Sequence, residues 1–285
     1  MNTEVLLAAT RCLKKEIKSC IATVVSANGS APRGPGAQML VTEKGDIVGT
    51  IGGGVLEHMV MQACLKCIKT GQPEQLKVHL TRDLGMCCGG EMEVFMDPVQ
   101  QKQKFFMFGA GHVAHALAPI LAALNFDVCV IDDRPELIEE DRFPLARRRI
   151  EDGIEFAANY KGGPDTFFLV VTHDHQRDQD LVEQLLPKEC AWLGLIGSRS
   201  KIAKFFMRYR AAGIDEAYFD KISGPVGLAI GAQTPTEIAV SIAAEVVRVR
   251  RGHEGPTIPL SEVPIPARGG DGMARAPALK DTGTK

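Results

Sequence analysis

The spacing of apolar positions changes period many times in the first hundred residues and then settles. A helix is expected over residues 2–18 and a strand at residues 21–26. Residues 28–36 are dense in turn formers. Residues 37–42 and 47–50 read as strands joined by the tight turn Lys44-Gly45-Asp46, and a helix pattern runs from about Val55 to Lys69. Leu76, Val78 and Leu80 alternate as in a half-exposed strand. Residues 81–90 have the composition of a loop. Residues 91–96 read as a strand that Asp97-Pro98 ends. The polar run at residues 99–103 resembles a linker and sets the expected domain boundary.

Beyond the linker the pattern is regular. Residues 105–108 are continuously apolar, a buried strand that stops at Gly109-Ala110-Gly111. Helical spacing follows through Val113, Leu117, Ile120, Leu121 and Leu124, and residues 128–131 form a second strand closed by Asp132 and Asp133. This is a βαβ opening with G-x-G-x-x-A at its first turn. Gly109 allows the turn, Gly111 lets backbone approach a phosphate, and the helix start offers free N–H groups. Asp132 stands where an acid takes ribose hydroxyls. Further strands are expected near 148–150, at 166–172 and at 192–196, with a helix from the 170s to about Leu186. A last helix spans 236–250, with Thr234 as cap, Pro235 at its first position and Glu237 at its third. Such alternation predicts a parallel, doubly wound sheet. The expected plan is α/β: residues 1–99, a Rossmann-like domain over 104–254, and a flexible tail over 255–285.

Composition narrows the function classes. A chain of 285 residues favours two domains. Hydrophobic content of 45% and charged content of 24% are those of a soluble globular protein. The formal charge of −2 gives no nucleic-acid footprint. No apolar run approaches the ~20 residues that span a bilayer, so no membrane partner is expected. The apolar run at residues 5–9 is too short for a signal peptide. Eight cysteines without such a signal read as reduced thiols of a cytoplasmic protein. Common catalytic signatures are absent: no phosphate loop of the G-x-x-x-x-G-K-[ST] type, no H-E-x-x-H, no G-x-S-x-G.

Several stretches carry candidate chemistry. Gly52-Gly53-Gly54, between a strand and a helix, suits an anion held by main-chain N–H groups, and Glu57 on the first helical turn complements the dipole. Cys87-Cys88-Gly89-Gly90 puts thiols in a glycine-rich loop, with Arg82 near enough in sequence to favour a thiolate. Cys64 and Cys67 form a C-x-x-C pair. Their place inside a helix, and the adjacency of Cys87 and Cys88, argue against zinc. Thr172-His173-Asp174-His175-Gln176-Arg177-Asp178 follows a strand at the ligand-binding edge; it reads as a ligand-facing turn, a helix cap at Asp174, or a metal site, in that order. Gly197-Ser198-Arg199-Ser200-Lys201 ends the next strand with two cations beside two hydroxyls, suited to an anionic group.

Taken together, residues 29–39 (GSAPRGPGAQM), 51–57 (IGGGVLE) and 88–95 (CGGEMEVF) resemble the amino-terminal domain of the XdhC/CoxI family. Residues 108–114 (FGAGHVA), 172–178 (THDHQRD), 194–201 (GLIGSRSK) and 225–245 resemble its Rossmann-like domain. The resemblance implies an accessory protein for xanthine dehydrogenase. Such proteins bind the molybdenum cofactor (molybdopterin), protect it while a cysteine desulfurase helps replace an oxo ligand by sulfido, and deliver it to the apo molybdenum hydroxylase. It implies a non-catalytic maturation factor, with a homodimer consistent with delivery. The cofactor residues implied are Ser30, Arg33, Gly52, Gly53, Gly54, Glu57, Cys88, Gly89 and Gly90 in the first half. In the second they are Gly109, Gly111, His112, Asp132, His173, Asp174, His175, Ser198 and Arg199. Cys88 aligns with the family's C-G-G cysteine and is the implied molybdenum ligand or sulfur relay; Cys87 departs from the pattern. On this reading the two halves jointly clasp one phosphorylated metal–pterin. The alternative is an NAD(P)-dependent oxidoreductase or dinucleotide-binding regulator using Gly109, Gly111 and Asp132.

Overall fold

A computed structural model describes residues 2–84, 89–255, 257, 258 and 262. In the first half, α1 (Thr3–Lys14) starts where Asn2 accepts a hydrogen bond from the Glu4 N–H, and it buries Val5, Ala8, Ala9 and Cys12. It stops earlier than the expected residue 18 because Glu16 takes φ +56°, outside helical space. Then follow β1 (Ser19–Asn28), β2 (Gln38–Thr42), β3 (Ile47–Gly49), α2 (Gly54–Thr70), β4 (Glu74–His79), the short α3 (Leu80–Leu84) and β5 (Glu91–Val99). The strands form one antiparallel sheet in the order β3-β2-β1-β5-β4. Helix α2 packs on one face over Ala22, Val24, Met39 and Val94, and α1 packs on the other around Leu40.

Two sequence expectations fail here. Residues 80–84 turn as helix where a loop was expected, and β5 runs through Asp97-Pro98 to Val99. The proline fits for a geometric reason. It lies opposite Cys20, and along β1 the even-numbered residues turn their N–H and C=O toward β2, as Lys18 and Val24 show. The missing N–H of Pro98 therefore faces away from β1, past the last paired residue of β4, Glu74.

The second half comprises β6 (Lys104–Phe108), α4 (His112–Ala123), β7 (Asp127–Asp132), β8 (Arg147–Ile150), α5 (Gly153–Asn159), β9 (Thr166–Val170), α6 (His175–Leu185), β10 (Trp192–Leu195), α7 (Arg199–Ala211), β11 (Ile222–Ser223) and α8 (Pro235–Arg250). All five strand pairings are parallel, in the order β11-β10-β9-β6-β7-β8. In chain order within this half that is 3-2-1-4-5-6 reversed, the dinucleotide-fold arrangement with its switch point between β6 and β9. Helices cover both faces, α4 and α8 over Phe105 and Met107, α6 and α7 over Phe106 and Phe108. Thr234, Pro235 and Glu237 form the expected capping box of α8. Helices α5 and α7 were not anticipated. Among the described residues no helix is long and apolar enough to cross a membrane. Residues 255–285, expected as a tail, lie almost wholly outside the described residues.

The halves meet at the amino ends of the parallel strands. Lys104, at the start of β6, pairs with Glu16, and Lys18 pairs with Asp165 just before β9. The carboxyl edge of the parallel sheet therefore looks away from the first half. On the face of the sheet that α8 covers, buried Glu245 accepts hydrogen bonds from Trp192 Nε1 (3.3 Å), the Ser223 hydroxyl and the Gly227 N–H. Removing it leaves three donors unpaired. We expect Glu245→Ala to destabilise the second half by about 2–4 kcal/mol, read as a lower urea midpoint; an unchanged midpoint would show those donors rehydrate freely.

Candidate functional site

Two clusters of motif residues emerge, one at each pole of the chain. At the first pole, the end of β1 and the start of β5 bring three glycine-bearing loops together. A Cβ on Gly90 would sit 2.6 Å from the Asn28 carbonyl oxygen and 2.9 Å from that of Ser30, and one on Gly29 would lie 3.2 Å from Gly90 Cα. A Cβ on Gly52 would lie 2.5 Å from Pro32 Cγ. Residues 28–30 and 89–90 are thus packed main chain to main chain, while Gly52 lies against the Pro32 ring. Beside them a recess of about 380 Å³ is lined by Asn28, Gly29, His79, Thr81, Arg82, Gly89, Gly90 and Glu91. Arg82 pairs with Asp83 at 2.9 Å, and His79 Nε2 lies 3.4 Å from Glu91. Ser30 and Arg33 are exposed on the neighbouring loop. Cys87 and Cys88 lie outside the described residues.

The glycine triplet carries an internal anion. Gly53 is the N-cap of α2, and Glu57 Oε1 accepts from the Gly53 N–H (2.9 Å), the Ile51 N–H (3.1 Å) and Thr50 Oγ1 (2.5 Å). Partial burial pushes this carboxyl upward. The Thr50 hydroxyl and the main-chain N–H groups outweigh it and hold Glu57 below the usual carboxylate range. The chain's own carboxylate thus occupies part of the nest where an external anion was expected.

The other thiols of the first half point inward. Cys20, Cys64 and Cys67 are fully buried between β1 and α2. The hydrogen bond with Cys64, then burial, push the Cys20 thiol far up, and burial raises Cys67. Raised and enclosed, Cys20 and Cys67 are poor nucleophiles at neutral pH.

At the opposite pole lies the carboxyl edge of the parallel sheet. Gly109 takes φ +113°, and a Cβ there would lie 2.5 Å from the Val171 carbonyl oxygen, so the turn admits only glycine. Gly111 caps α4 without a side chain, has open space around it, and is followed by His112. Asp132 does not stand free. Its Oδ2 accepts from the Ala110 N–H (2.8 Å) and Arg134 Nη2 (2.8 Å), and its Oδ1 from Arg134 Nε (2.8 Å) and the Arg134 N–H (3.1 Å). Burial acts upward on this carboxyl, but Arg134 and the two N–H groups hold it low. Arg177 bridges Asp133 and Asp152, both at 2.9 Å. What remains of the crevice between these residues is about 20 Å³, room for one water.

The turn after β9 is organised by capping. Asp174 is the N-cap of α6, accepting from the Gln176 and Arg177 N–H groups, while His173 and His175 are exposed. Asp178 is wholly buried and receives Thr172 Oγ1 and Lys201 Nζ, each at 2.6 Å. Lys201 also donates to the Ile196 carbonyl. One of the two cations expected to await an anion is therefore committed inside the protein. Arg199 stays exposed, beside Ser198, which caps α7. Among the described residues no group of three or more His, Cys, Asp or Glu is placed to hold a metal. Sequence reasoning missed Arg134, Arg177 and the Lys201–Asp178 pair. Arg134, two residues beyond the acid, was the one readable signal.

Within one chain the two poles do not form a single pocket. β1 and β5 alone span roughly 30 Å, and the junction lies between the poles. The expectation of one clasp shared by both halves fails in the single chain, because the halves join at the ends of their sheets opposite the motif loops.

Comparison with known proteins places these features. The model of the XdhC Rossmann domain matches residues 105–246, and that of the XdhC and CoxI family matches residues 12–79. YqeB of Escherichia coli (strain K12) is 34% identical over 286 residues, covering 95% of this chain and 52% of that protein. A probable xanthine dehydrogenase subunit from Bacillus subtilis (strain 168) is 31% identical over 159 residues, covering 55% of this chain and 46% of that protein. The molybdenum cofactor insertion chaperone PaoD of Escherichia coli (strain K12) is 20% identical over 303 residues, covering 88% of this chain and 89% of that protein. The crystal structure of a xanthine dehydrogenase from Bacillus halodurans aligns over 91% of this chain and 99% of that one, at 22% identity and a TM-score of 0.49. The chain spans about half the length of the first two of these relatives. With family models matching both halves, and the parallel sheet carrying the Rossmann match from β6 into α8, the chain belongs to the XdhC/CoxI family.

Proposed function

We propose that this protein is a maturation factor that binds the molybdenum cofactor and hands it to xanthine dehydrogenase or a related molybdenum hydroxylase. The observation that carries the reading is the first pole, where three glycine loops meet beside a recess of pterin size. Recesses of this order take small ligands. Arg82 and Arg33 supply positive charge for the terminal phosphate, and main-chain N–H groups from the 89–90 loop supply donors. Cys88, one bond from Gly89, is the thiol of the soft-ligand or sulfur-relay role. Similarity to an insertion chaperone and to a probable component of xanthine dehydrogenase supports the client class. Sulfuration assisted by a cysteine desulfurase belongs to the same proposal. On this reading the chain is a non-catalytic maturation factor, in keeping with the internal hydrogen bonds that hold Glu57, Asp132 and Asp178.

Titration with molybdopterin tests this reading. Arg82→Ala and Arg33→Ala should each weaken binding about 5–10-fold, roughly 1–1.4 kcal/mol. Gly90→Ala should abolish binding while leaving the second half's melting unchanged, because its Cβ collides with the Asn28 and Ser30 carbonyls. Equal affinity in all three variants would refute the first pole as the site. Unaltered cofactor retention in Cys88→Ser would remove the cysteine from the mechanism.

The dinucleotide alternative meets a specific obstacle. A ribose would have to displace Arg134 from both oxygens of Asp132 in a crevice with room for one water. We expect no change in melting temperature with millimolar NAD(H) or NADP(H). A saturable rise of several degrees would reinstate the oxidoreductase reading.

A further inference from the structure

One oxygen of Glu57 gathers the turn that leads into α2. Its Oε1 takes the Ile51 N–H, the Gly53 N–H and the Thr50 hydroxyl. The Thr50 hydroxyl oxygen in turn accepts from the Gly52 N–H at 3.3 Å. Residues 50–53 are therefore all tied to a single carboxylate oxygen, directly or through Thr50.

The turn so fixed supports its neighbour. Gly52 takes φ +141°, and a Cβ there would lie 2.5 Å from Pro32 Cγ and 3.0 Å from Pro32 Cβ, so its main chain abuts the proline ring. Two residues before Pro32, the Ser30 carbonyl lies against Gly90. Between them the Ala31 N–H donates to the Gly29 carbonyl at 3.0 Å. The loop is thus held on both sides of Ala31, with half-buried Pro32 on one support and the exposed Arg33 directly after it. Among the described residues no side chain pairs with Arg33. The loop beneath it sets where its charge stands.

We propose that Glu57 is a positioning residue for Arg33: through the 50–53 turn and the Gly52–Pro32 contact it fixes the place at which the guanidinium meets the cofactor's phosphate. The inference rests on the reading of the first pole as the cofactor site. It changes the part that the family resemblance implied for Glu57, from a cofactor contact to the support of one. Because the three direct donors meet at one oxygen, the role calls for an acceptor atom at that point, which an amide oxygen also supplies.

Molybdopterin titration of the full chain, together with hydrogen exchange of the unliganded protein, tests this. Glu57→Ala should weaken binding about as much as Arg33→Ala, and the double variant should be no weaker than either single one to within about twofold. Combined with Arg82→Ala, which the 50–53 turn does not support, the two losses should multiply. Glu57→Gln should recover most of what Glu57→Ala loses. Pro32→Ala leaves the Glu57 bonds in place; it should weaken binding about 3–5-fold and couple to Arg33→Ala in the same way. Should Glu57→Ala not fold, Pro32→Ala and Glu57→Gln carry the test. In the unliganded chain, residues 29–37 should exchange faster in Glu57→Ala and in Pro32→Ala than in the parent or Glu57→Gln. The proposal is overturned if the Glu57→Ala and Arg33→Ala losses multiply, if Glu57→Gln binds as poorly as Glu57→Ala, if Pro32→Ala binds like the parent, or if exchange over 29–37 is unchanged. If instead Arg33→Ala binds as tightly as the parent, it is the cofactor reading that fails; the exchange measurement needs no cofactor and still decides whether Glu57 holds the Arg33 loop.

Discussion

Strands β1 and β5 run antiparallel from Ser19 opposite Val99 to Asn28 opposite Glu91, the longest pairing in the molecule, and most of the arrangement depends on it. Its upper end brings the Ser30 loop onto Gly90. Its lower end feeds through residues 100–103 into β6, so the parallel sheet starts where the antiparallel one stops. The hydrogen-bond ladder thus separates the glycine loops from the Rossmann edge by its own length. A one-residue slip would turn Ala22, Val24, Met92 and Val94 out of the core beneath α2.

A second regularity is that the chain supplies internal partners at the places where an outside ligand was expected. Glu57 fills part of the glycine nest, Arg134 covers both oxygens of Asp132, and Lys201 neutralises Asp178. Each carboxylate is held by two or more donors, which preorganises the loops around it. On the proposed reading, an incoming phosphate meets exposed Arg33 at the first pole and competes with Asp83 for Arg82.

Much of this was legible in the residues. The GAGHVA turn, the strands around it and the capped last helix follow from period and punctuation, because those signals are local. The resemblance to one family located the same motifs that the structure gathers at two poles. What could not be read is long-range pairing. Nothing in T-H-D-H-Q-R-D reveals that Asp178 meets a lysine 23 positions on, and nothing around Asp97-Pro98 reveals that β4 ends early enough to tolerate the proline. Helix α7 was missed because its first turn, Arg199-Ser200-Lys201, is polar, and its buried residues Ile202, Phe205 and Tyr209 make a short stripe. The placement of the two poles at opposite ends is likewise a matter of strand direction, which no motif encodes.

The proline in β5 has a consequence for biosynthesis. During translation the antiparallel sheet is complete before the parallel one exists, and the bare flank of β5 beyond Glu74 is then a free template for any passing extended segment. A residue with no N–H at Pro98 interrupts that template at the stretch β4 leaves uncovered. The ring thereby leaves that stretch without the N–H a stray strand would pair with.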